Sequence, residues 1–433
     1  MLTFLLIFLG KALSFFARSL NLGNGTTWPG HIALSVNNHF IPDMLKKTKT
    51  KVMIIAGTNG KTTTAKMLRT ILEMNGKTVI QNQSGANLRN GIASTLLLNS
   101  SFKGTIDADY AIFEVDENAL PLLLHEITPT VLTLLNLFRD QLDRYGEVRS
   151  IAQKWSTSVQ NLPQHTTLIL NADDPEVAYL KKETKAKTLF FGVAEKKQAK
   201  DLSVDAVDSV YCPNCQKRLT YSSITFSHLG IWQCTSCSSK KPEADLSYVT
   251  SYPLSGTYNK YNTHAALLTA EAVGIELEDA LSALSGFQPA FGRQEKISVG
   301  NKFVQIFLSK NPIGFNESLR TIREYNPKTI LLLLNDRVAD GKDVSWIWDI
   351  DFETLIPKET TIVISGDRSY DMAVRMKYAS ESNTMRKELI EEKIDEALRK
   401  SLELTKENDT LYILPTYTAM LDARKILSGR KIL

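Results

Sequence analysis

Ile54-Ile55-Ala56-Gly57-Thr58-Asn59-Gly60-Lys61-Thr62-Thr63-Thr64 is an apolar run that breaks into a glycine-punctuated loop and then opens a helix. Strand, turn, lysine and hydroxyls in this order predict a phosphate-binding loop. Gly57 and Gly60 let backbone N–H groups close around phosphate oxygens, and Lys61 adds a positive charge. A helix starting near Thr62 would aim the positive end of its dipole at the anion. Gly57, Thr58, Asn59, Gly60, Lys61, Thr62 and Thr63 are therefore the expected contacts to a nucleotide phosphate, with the Thr62 hydroxyl placed to ligate Mg²⁺. The usual spacing would put a first glycine at position 55, where this chain has isoleucine, so the loop is a shorter variant.

The 433 residues are 43% hydrophobic and 23% charged, enough for two or three globular cores and unlike a disordered or fibrous chain. A net charge of +4, with no long basic run, gives no case for nucleic acid as a partner. Residues 1–16 are strongly apolar, but Lys11 and Arg18 bracket a run shorter than the ~20 helical residues that a bilayer requires. No charged start or small-residue cleavage site marks a signal peptide. The expectation is a cytoplasmic protein whose first helix packs on its own fold, with peripheral contact to a membrane surface as the alternative.

Downstream, apolar runs alternate with helical stretches. Lys51 to Ala65 reads as strand, loop and helix start, Thr78 to Gln81 as a strand, and Ile92 to Leu98 as a helix. Tyr110-Ala111-Ile112-Phe113, Thr130 to Asn136 and Thr167 to Asn171 read as buried strands. This alternation predicts a parallel sheet with helices on both faces. Glu114 then falls at the carboxyl end of a strand, where open α/β sheets bind ligands, and is the expected second Mg²⁺ ligand. Asp116 and Glu117, just beyond it, read as a solvated acidic turn. Asn171 and Asp174 are candidates for nucleotide or structural contacts.

All four cysteines fall in two pairs, Cys212-Pro213-Asn214-Cys215 and Cys234-Thr235-Ser236-Cys237. Two such knuckles, flanked by Leu219-Thr220-Tyr221 and Ile231-Trp232 as hairpin strands, predict a zinc ribbon. Four thiolates leave no open coordination position, so the Zn²⁺ would be structural.

The Gly-Thr-Asn-Gly-Lys-Thr-Thr loop resembles that of the Mur ligase superfamily, ATP-dependent enzymes of peptidoglycan synthesis, and of their folate-polyglutamating relatives. Further segments carry the resemblance. Asn136 through Asp140-Gln141-Leu142-Asp143 resembles the family's Asn…Asp-His-Leu-Asp motif, with Gln141 where a metal-binding histidine stands. The resemblance thus makes Gln141 a candidate Mg²⁺ ligand through its amide oxygen. Lys154 lies about where many family members carry a carbamylated lysine, although a surface lysine explains it as well. Leu170-Asn171-Ala172-Asp173-Asp174-Pro175 matches another family signature. The resemblance further implies that Asn259 and Asn262 hold adenine and that Arg293 reaches ATP phosphate. His264, in the same helix, reads as a helix-surface or packing histidine and not as a catalyst.

Beyond Lys296, strands at Phe303 to Leu308, Thr329 to Leu334, Thr361 to Ser365 and Thr410 to Leu414 predict a second, Rossmann-like unit. Amino-acid-adding relatives have Asp-Tyr-Ala-His-x-Pro after its first strand, whereas this chain reads Leu308-Ser309-Lys310-Asn311-Pro312. The C-terminal set Asn335-Asp336, Asp340-Gly341-Lys342-Asp343, Ser345 to Glu353, Asp371 to Tyr378 and Pro415 to Leu421, together with the ribbon, resembles a narrower family. These are the MurT-type, ligase-like subunits of lipid II isoglutaminyl synthase. The resemblance implies ATP-dependent amidation of the D-glutamate α-carboxylate in lipid II at the inner membrane surface. Ammonia would come from a GatD-like glutaminase subunit in a heterodimer.

In this reading Lys61, Glu114 and Arg293 serve the phosphoryl transfer. Asp349, beside Trp346 and Trp348, reaches the glutaminase, with Asp351 as the alternative. A helix N-cap role would explain Asp349 equally well. The expected fold is α/β: an apolar N-terminal segment (1–40), a Mur ligase-like central P-loop ATPase domain (41–295) with the ribbon inserted at about 203–245, and a C-terminal Rossmann-like α/β domain (296–433).

Overall fold

A computed structural model describes residues 2–19, 27–82, 85–139, 148–194, 209–379 and 388–428. Two compact units emerge, and each has its own sheet. The first comprises residues 1–139, 147–253 and 257–287, and the second residues 140–146, 254–256 and 288–433.

The first unit is built on six parallel strands: β1 (Lys51–Ala56), β2 (Val79–Gln81), β3 (Tyr110–Val115), β4 (Val131–Leu134), β5 (Thr167–Asn171) and β6 (Lys187–Phe191). Their order across the sheet is β2-β3-β1-β4-β5-β6. Every residue of β3 and β4 is buried, as is all of β1 after Lys51. That is why these strands read as continuous apolar runs, since a parallel sheet is covered on both faces. Strand order reverses between β1 and β4, so the crevice at their carboxyl ends is the topological switch point where such sheets take ligands. Residues 57–60 leave β1 at this crevice and enter the helix Lys61–Met74.

The cysteine pairs flank an antiparallel hairpin, β7 (Leu219–Phe226) and β8 (Leu229–Cys234), longer than the sequence suggested. Its apolar face, with Tyr221 and Trp232, packs with all four cysteines and against Ala178 and Phe190 of the first unit.

The second unit carries β9 (Arg293–Val299), β10 (Lys302–Phe307), β11 (Thr329–Leu333), β12 (Thr361–Ser365), β13 (Glu388–Ile390) and β14 (Thr410–Pro415). They are ordered β13-β12-β11-β14-β10-β9, and only β9 runs antiparallel, against β10. The four strands expected here are present. β9 escaped the sequence reading because it alternates in exposure and pairs through a tight turn, and β13 because it is only three residues long. Separate apolar clusters cover the two faces of this sheet. Phe315, Phe352, Met372 and Met376 lie on one side, and Leu398, Ala419, Met420 and Ala423 on the other.

Candidate active site

The loop after β1 is held by the segment that leaves β4. The Thr58 N–H donates to the Asn136 carbonyl at 3.0 Å, and the Thr58 hydroxyl accepts from the Phe138 N–H at 3.0 Å. The Asn136 side chain brackets Asn59, accepting from its N–H at 2.9 Å and donating to its carbonyl at 3.0 Å. Gly60 has φ +93°, and a Cβ there would stand 2.1 Å from Asn262 Oδ1, so both conformation and space demand glycine. Gly60 N-caps the helix Lys61–Met74, which begins with no side-chain cap and no acidic residue in its first turn. The first N–H groups therefore stay available to an anion.

Two predicted magnesium ligands meet here. The Thr62 hydroxyl donates to Glu114 Oε2 at 2.7 Å, while the Gln81 amide donates to Glu114 Oε1 at 3.0 Å. Glu114 is buried, and Asn82 fixes its backbone on both sides, with Glu114 N–H donating at 2.8 Å and its carbonyl accepting at 2.9 Å. An alcohol oxygen beside a buried carboxylate is a hard-oxygen donor pair of the kind that suits Mg²⁺.

Lys61 is also buried. Its ammonium donates to the carbonyls of Gly57 and of Thr58, the latter at 3.1 Å, and lies 3.3 Å from Glu117 Oε2. This overturns the expectation of a solvated turn: Glu117 is 1% exposed and Asp116 is 7% exposed. The turn folds inward because the Trp155 indole donates to the Glu117 carbonyl at 2.8 Å and Lys61 neutralises the side chain. The second oxygen of Glu117 and the Asn118 amide nitrogen are buried without a hydrogen-bond partner. Sequence reasoning missed Glu117 because the alternation rule ends with the strand. A carboxylate three residues past Glu114, facing a loop lysine, was the available signal.

The remaining candidates distribute as follows. Asn171 is fully buried and donates to the Leu135 carbonyl at 2.9 Å while accepting from the Asp173 N–H at 3.0 Å. Of its two predicted roles, these are structural contacts. Asp174 caps the short helix Pro175–Tyr179 through the N–H groups of Glu176 and Val177 and also accepts from the Leu137 N–H at 2.9 Å. Asn259 and Asn262 lie buried on the helix Thr257–Glu271, with the Asn262 amide donating to Asn259 Oδ1 at 3.0 Å. Asn262 thus backs the phosphate loop at Gly60. Thr63 is buried in the first helical turn, and Lys154 is exposed. Gln141 falls outside the described residues.

His264 is not at the surface. It is fully buried, and burial, aided by the nearby Lys260 charge, pulls its pKa down to about 4 against the bond to Gly192. Its Nδ1 lies 2.7 Å from the Gly192 carbonyl, which can only accept, so Nδ1 carries the proton and Nε2 accepts from the Tyr252 hydroxyl at 3.1 Å.

The four cysteine sulfurs all lie within 4.8 Å of one another, with Cys212–Cys237 and Cys215–Cys234 each 3.5 Å apart. A tetrahedron with Zn–S bonds of ~2.3 Å has edges of about 3.8 Å, so the cluster is close to the size that a four-thiolate metal site requires. Hydrogen bonding with Asn214 and Ser239 lowers the pKa of the Cys237 thiol, whereas burial raises that of Cys212. The hairpin tip reaches toward the phosphate loop. His228 Nε2 is 3.3 Å from Asp174 Oδ2, and the Phe138 ring packs 5.0 Å from His228 and 5.8 Å from Phe226. Phe138 is the residue whose N–H donates to Thr58.

In the second unit, Arg293 opens β9. Asp349 ends the 3-10 turn Ser345–Asp349 and is exposed, and the N-cap position that sequence reasoning offered as its other role falls instead to Asp351, before the helix Phe352–Leu355. The turn is braced from within by Arg375, which is 4% exposed. Its guanidinium donates to the carbonyls of Ile347 at 3.2 Å and Ile350 at 2.5 Å and pairs with both oxygens of Glu353. Asp351 instead turns back to accept from the Asn316 amide at 3.1 Å. Asn311, in the segment that departs from the amino-acid-adding pattern, caps the helix Pro312–Glu324 by accepting from the Gly314 N–H at 2.8 Å.

Comparison with known proteins agrees with this geometry. Residues 55–270 match the family model of the Mur ligase middle domain, and residues 308–420 match that of the MurT ligase C-terminal. The chain is 32% identical over 435 residues to the lipid II isoglutaminyl synthase (glutamine-hydrolyzing) subunit MurT of Streptococcus pneumoniae, covering 95% of this chain and 94% of that protein. Among solved structures it resembles a pseudomurein peptide ligase type C from Methanothermus fervidus (TM-score 0.67, 24% identity, 90% of this chain and 81% of that one). It also resembles the MurF ligase of Thermotoga maritima in complex with ADP (TM-score 0.61, 14% identity, 91% and 84%). At these identities the solved structures speak for the fold. The full-length match to a MurT subunit and the two family models show that this chain belongs to the MurT family of Mur ligase-fold proteins.

Proposed function

We propose that this chain is the ATP-dependent ligase subunit of a lipid II isoglutaminyl synthase, amidating the α-carboxylate of D-glutamate in the peptidoglycan stem with ammonia from a GatD-like glutaminase. The observation that carries the proposal is the meeting of Lys61, Thr62 and Glu114 around an uncapped helix start, in a chain aligned end to end with a MurT subunit.

In the first step a substrate carboxylate oxygen attacks the γ-phosphorus of ATP. The bond to the β,γ-bridging oxygen breaks, and ADP and an acyl phosphate result. In the second, ammonia attacks the acyl carbon, the carbon–oxygen bond to phosphate breaks, and the amide forms with loss of a proton and inorganic phosphate. No protein nucleophile is required. The loop N–H groups and Lys61 bind phosphate oxygens, Lys61 exchanging its contacts with the loop carbonyls for the nucleotide. Thr62 and Glu114 would hold Mg²⁺, which when bound would neutralise charge spreading over the phosphoryl group. Arg293 enters this reading from the family resemblance alone, as a further phosphate contact. Gln141 enters on the same footing as a third Mg²⁺ ligand, as do Asn259 and Asn262 for adenine.

The Cys212, Cys215, Cys234 and Cys237 set would hold a structural Zn²⁺, closed by four thiolates. Since those are all the cysteines in the chain, none is left as a glutaminase nucleophile, which supports a separate subunit for that step. Asp349, exposed on a braced turn, is the proposed residue reaching that partner.

The test is amidation of lipid II by the purified chain with ATP and ammonium chloride, read by mass spectrometry and ADP release. The chain should transfer ammonia and leave free amino acids unused. Amino-acid addition, or ATP turnover indifferent to lipid II, would refute the reading.

A further inference from the structure

The helix Leu2–Ser19 is apolar on two faces, and only one of them is covered. Leu6, Ile7, Gly10 and Ser14 face the first unit. Ile7 is fully buried, and a Cβ added to Gly10 would come 2.7 Å from the Leu97 side chain. The other side presents Leu5, Phe8, Leu9, Leu13 and Phe16, between 43% and 59% exposed, at the spacing of a single helical stripe. Phe102 extends the stripe from a neighbouring loop, its ring centroid 6.1 Å from that of Phe4 and 6.5 Å from that of Phe8. Exposed apolar residues scattered singly need no explanation, whereas a contiguous stripe along a helix about 27 Å long marks a surface that something covers.

Lysines rim the stripe. Lys11 Nζ lies 5.5 Å from the Phe102 ring centroid, Lys47 Nζ lies 3.5 Å from Thr3 Oγ1, and exposed Lys103 follows Phe102 in the chain. Residues 1–42 contain no aspartate or glutamate. Among the described residues no helix is long and apolar enough to cross a membrane, so the stripe is not part of a span.

We propose that this face docks the chain on the surface of an anionic lipid bilayer, with the helix lying in the plane of the interface. The outer stripe enters the boundary between headgroups and acyl chains, and the lysine rim meets lipid phosphates. A second copy of the chain fits less well, because self-pairing through this face sets lysine rim against lysine rim. Nothing in the ligase site is needed for the docking, so it stands or falls separately from the catalytic reading.

The experiment is flotation of the full-length chain with vesicles of phosphatidylcholine alone and of phosphatidylcholine mixed with phosphatidylglycerol. The chain should float with the mixed vesicles, far less with the neutral ones, and be released by salt. Phe8→Glu should abolish flotation with an unchanged melting temperature. Lys47→Glu/Lys103→Glu should lower it by about tenfold or more, each lysine near an anionic surface counting for roughly fivefold. If Phe8→Glu fails to fold, the lysine pair decides. Failure of the wild type to float with either vesicle, or flotation untouched by the lysine pair, overturns the proposal. A dimer in sedimentation velocity that Phe8→Glu dissociates, without vesicle binding, assigns the face to a second copy instead.

Discussion

Glu117 Oε2 stands 3.3 Å from Lys61 Nζ, and both side chains are buried, at 1% and 10% exposure. The lysine of the phosphate loop is thus half of an ion pair, shared with its own loop carbonyls. Removing one member leaves the other charge desolvated without compensation, which costs about 3 kcal/mol or more. Lys61→Met should therefore abolish ammonia-dependent amidation and also lower stability in urea titration. Lys61→Met/Glu117→Gln should recover most of the stability and none of the activity. Equal destabilisation in the double variant would mean that the pair does not act as a unit.

The ribbon is coupled to the phosphate loop by a short path: His228 and Phe226 pack on Phe138, and the Phe138 N–H donates to Thr58. A ribbon that served stability alone would leave nucleotide affinity untouched once the protein was folded. This path implies otherwise. Cys212→Ser should release zinc, measured by metal analysis, lower the melting temperature, and weaken ADP binding by roughly twofold to thirtyfold in calorimetry, the range of such through-packing couplings. Unchanged ADP affinity in the folded, zinc-free variant would rule the coupling out.

Much of this was legible in the sequence for identifiable reasons. Strands β1, β3, β4 and β5 announced themselves because a sheet covered on both faces needs unbroken apolar runs. The Thr62–Glu114 contact followed from two strand ends meeting at one crevice. Parallel pairing aligns Ile55 with Glu114, and the loop then turns back over it. What stayed hidden depends on packing. Nothing local marks Glu117 as buried, since only Trp155 and Lys61, 38 and 56 residues away, pull it inward. For His264 the sequence left surface and packing roles open, and packing is the outcome because its helix is buried on nearly every side.

Stability should carry the mark of His264 below neutrality. An unfolded histidine titrates near 6.5 and this one near 4, so between those values the unfolded chain binds the extra proton. Its contribution is complete above pH 6.5 and is lost as the pH falls toward 4, about 3 kcal/mol in all. Glu176, pushed up to about 7 by burial and by Asp174, acts in the opposite sense over pH 4.5 to 7, so the wild-type profile alone conceals both. The difference between wild type and His264→Gln isolates the histidine. The wild-type advantage should shrink by roughly 1 kcal/mol per pH unit between pH 6.5 and 5. Parallel profiles would show that His264 titrates normally in the folded state.

Asp349 and Asp351 are two residues apart and make opposite use of their carboxylates. Asp351 accepts from Asn316 at 3.1 Å and is spent within its own unit. Asp349 is exposed at the end of a turn whose backbone carbonyls, at Ile347 and Ile350, are gripped by the buried Arg375 guanidinium. Trp348 beside it is half exposed, with its ring centroid 5.6 Å from that of exposed Tyr378, and aromatic surface of this sort suits an interface. A carboxylate carried on a turn braced in this way can reach a histidine on a partner and orient it, as the acid of a triad does. Asp349→Asn keeps the shape and removes the charge. In the pair reconstituted with a GatD-like glutaminase, it should cut glutamine-dependent amidation by about a thousandfold or more while ammonium-dependent amidation persists, since a triad aspartate changed to asparagine costs about 10⁴ in the serine proteases. Asp351→Asn should instead lower stability and leave the ratio of the two activities unchanged. If Asp349→Asn lowers both activities equally, the residue belongs to the ligase side, and if it lowers neither, Asp349 does not reach the glutaminase.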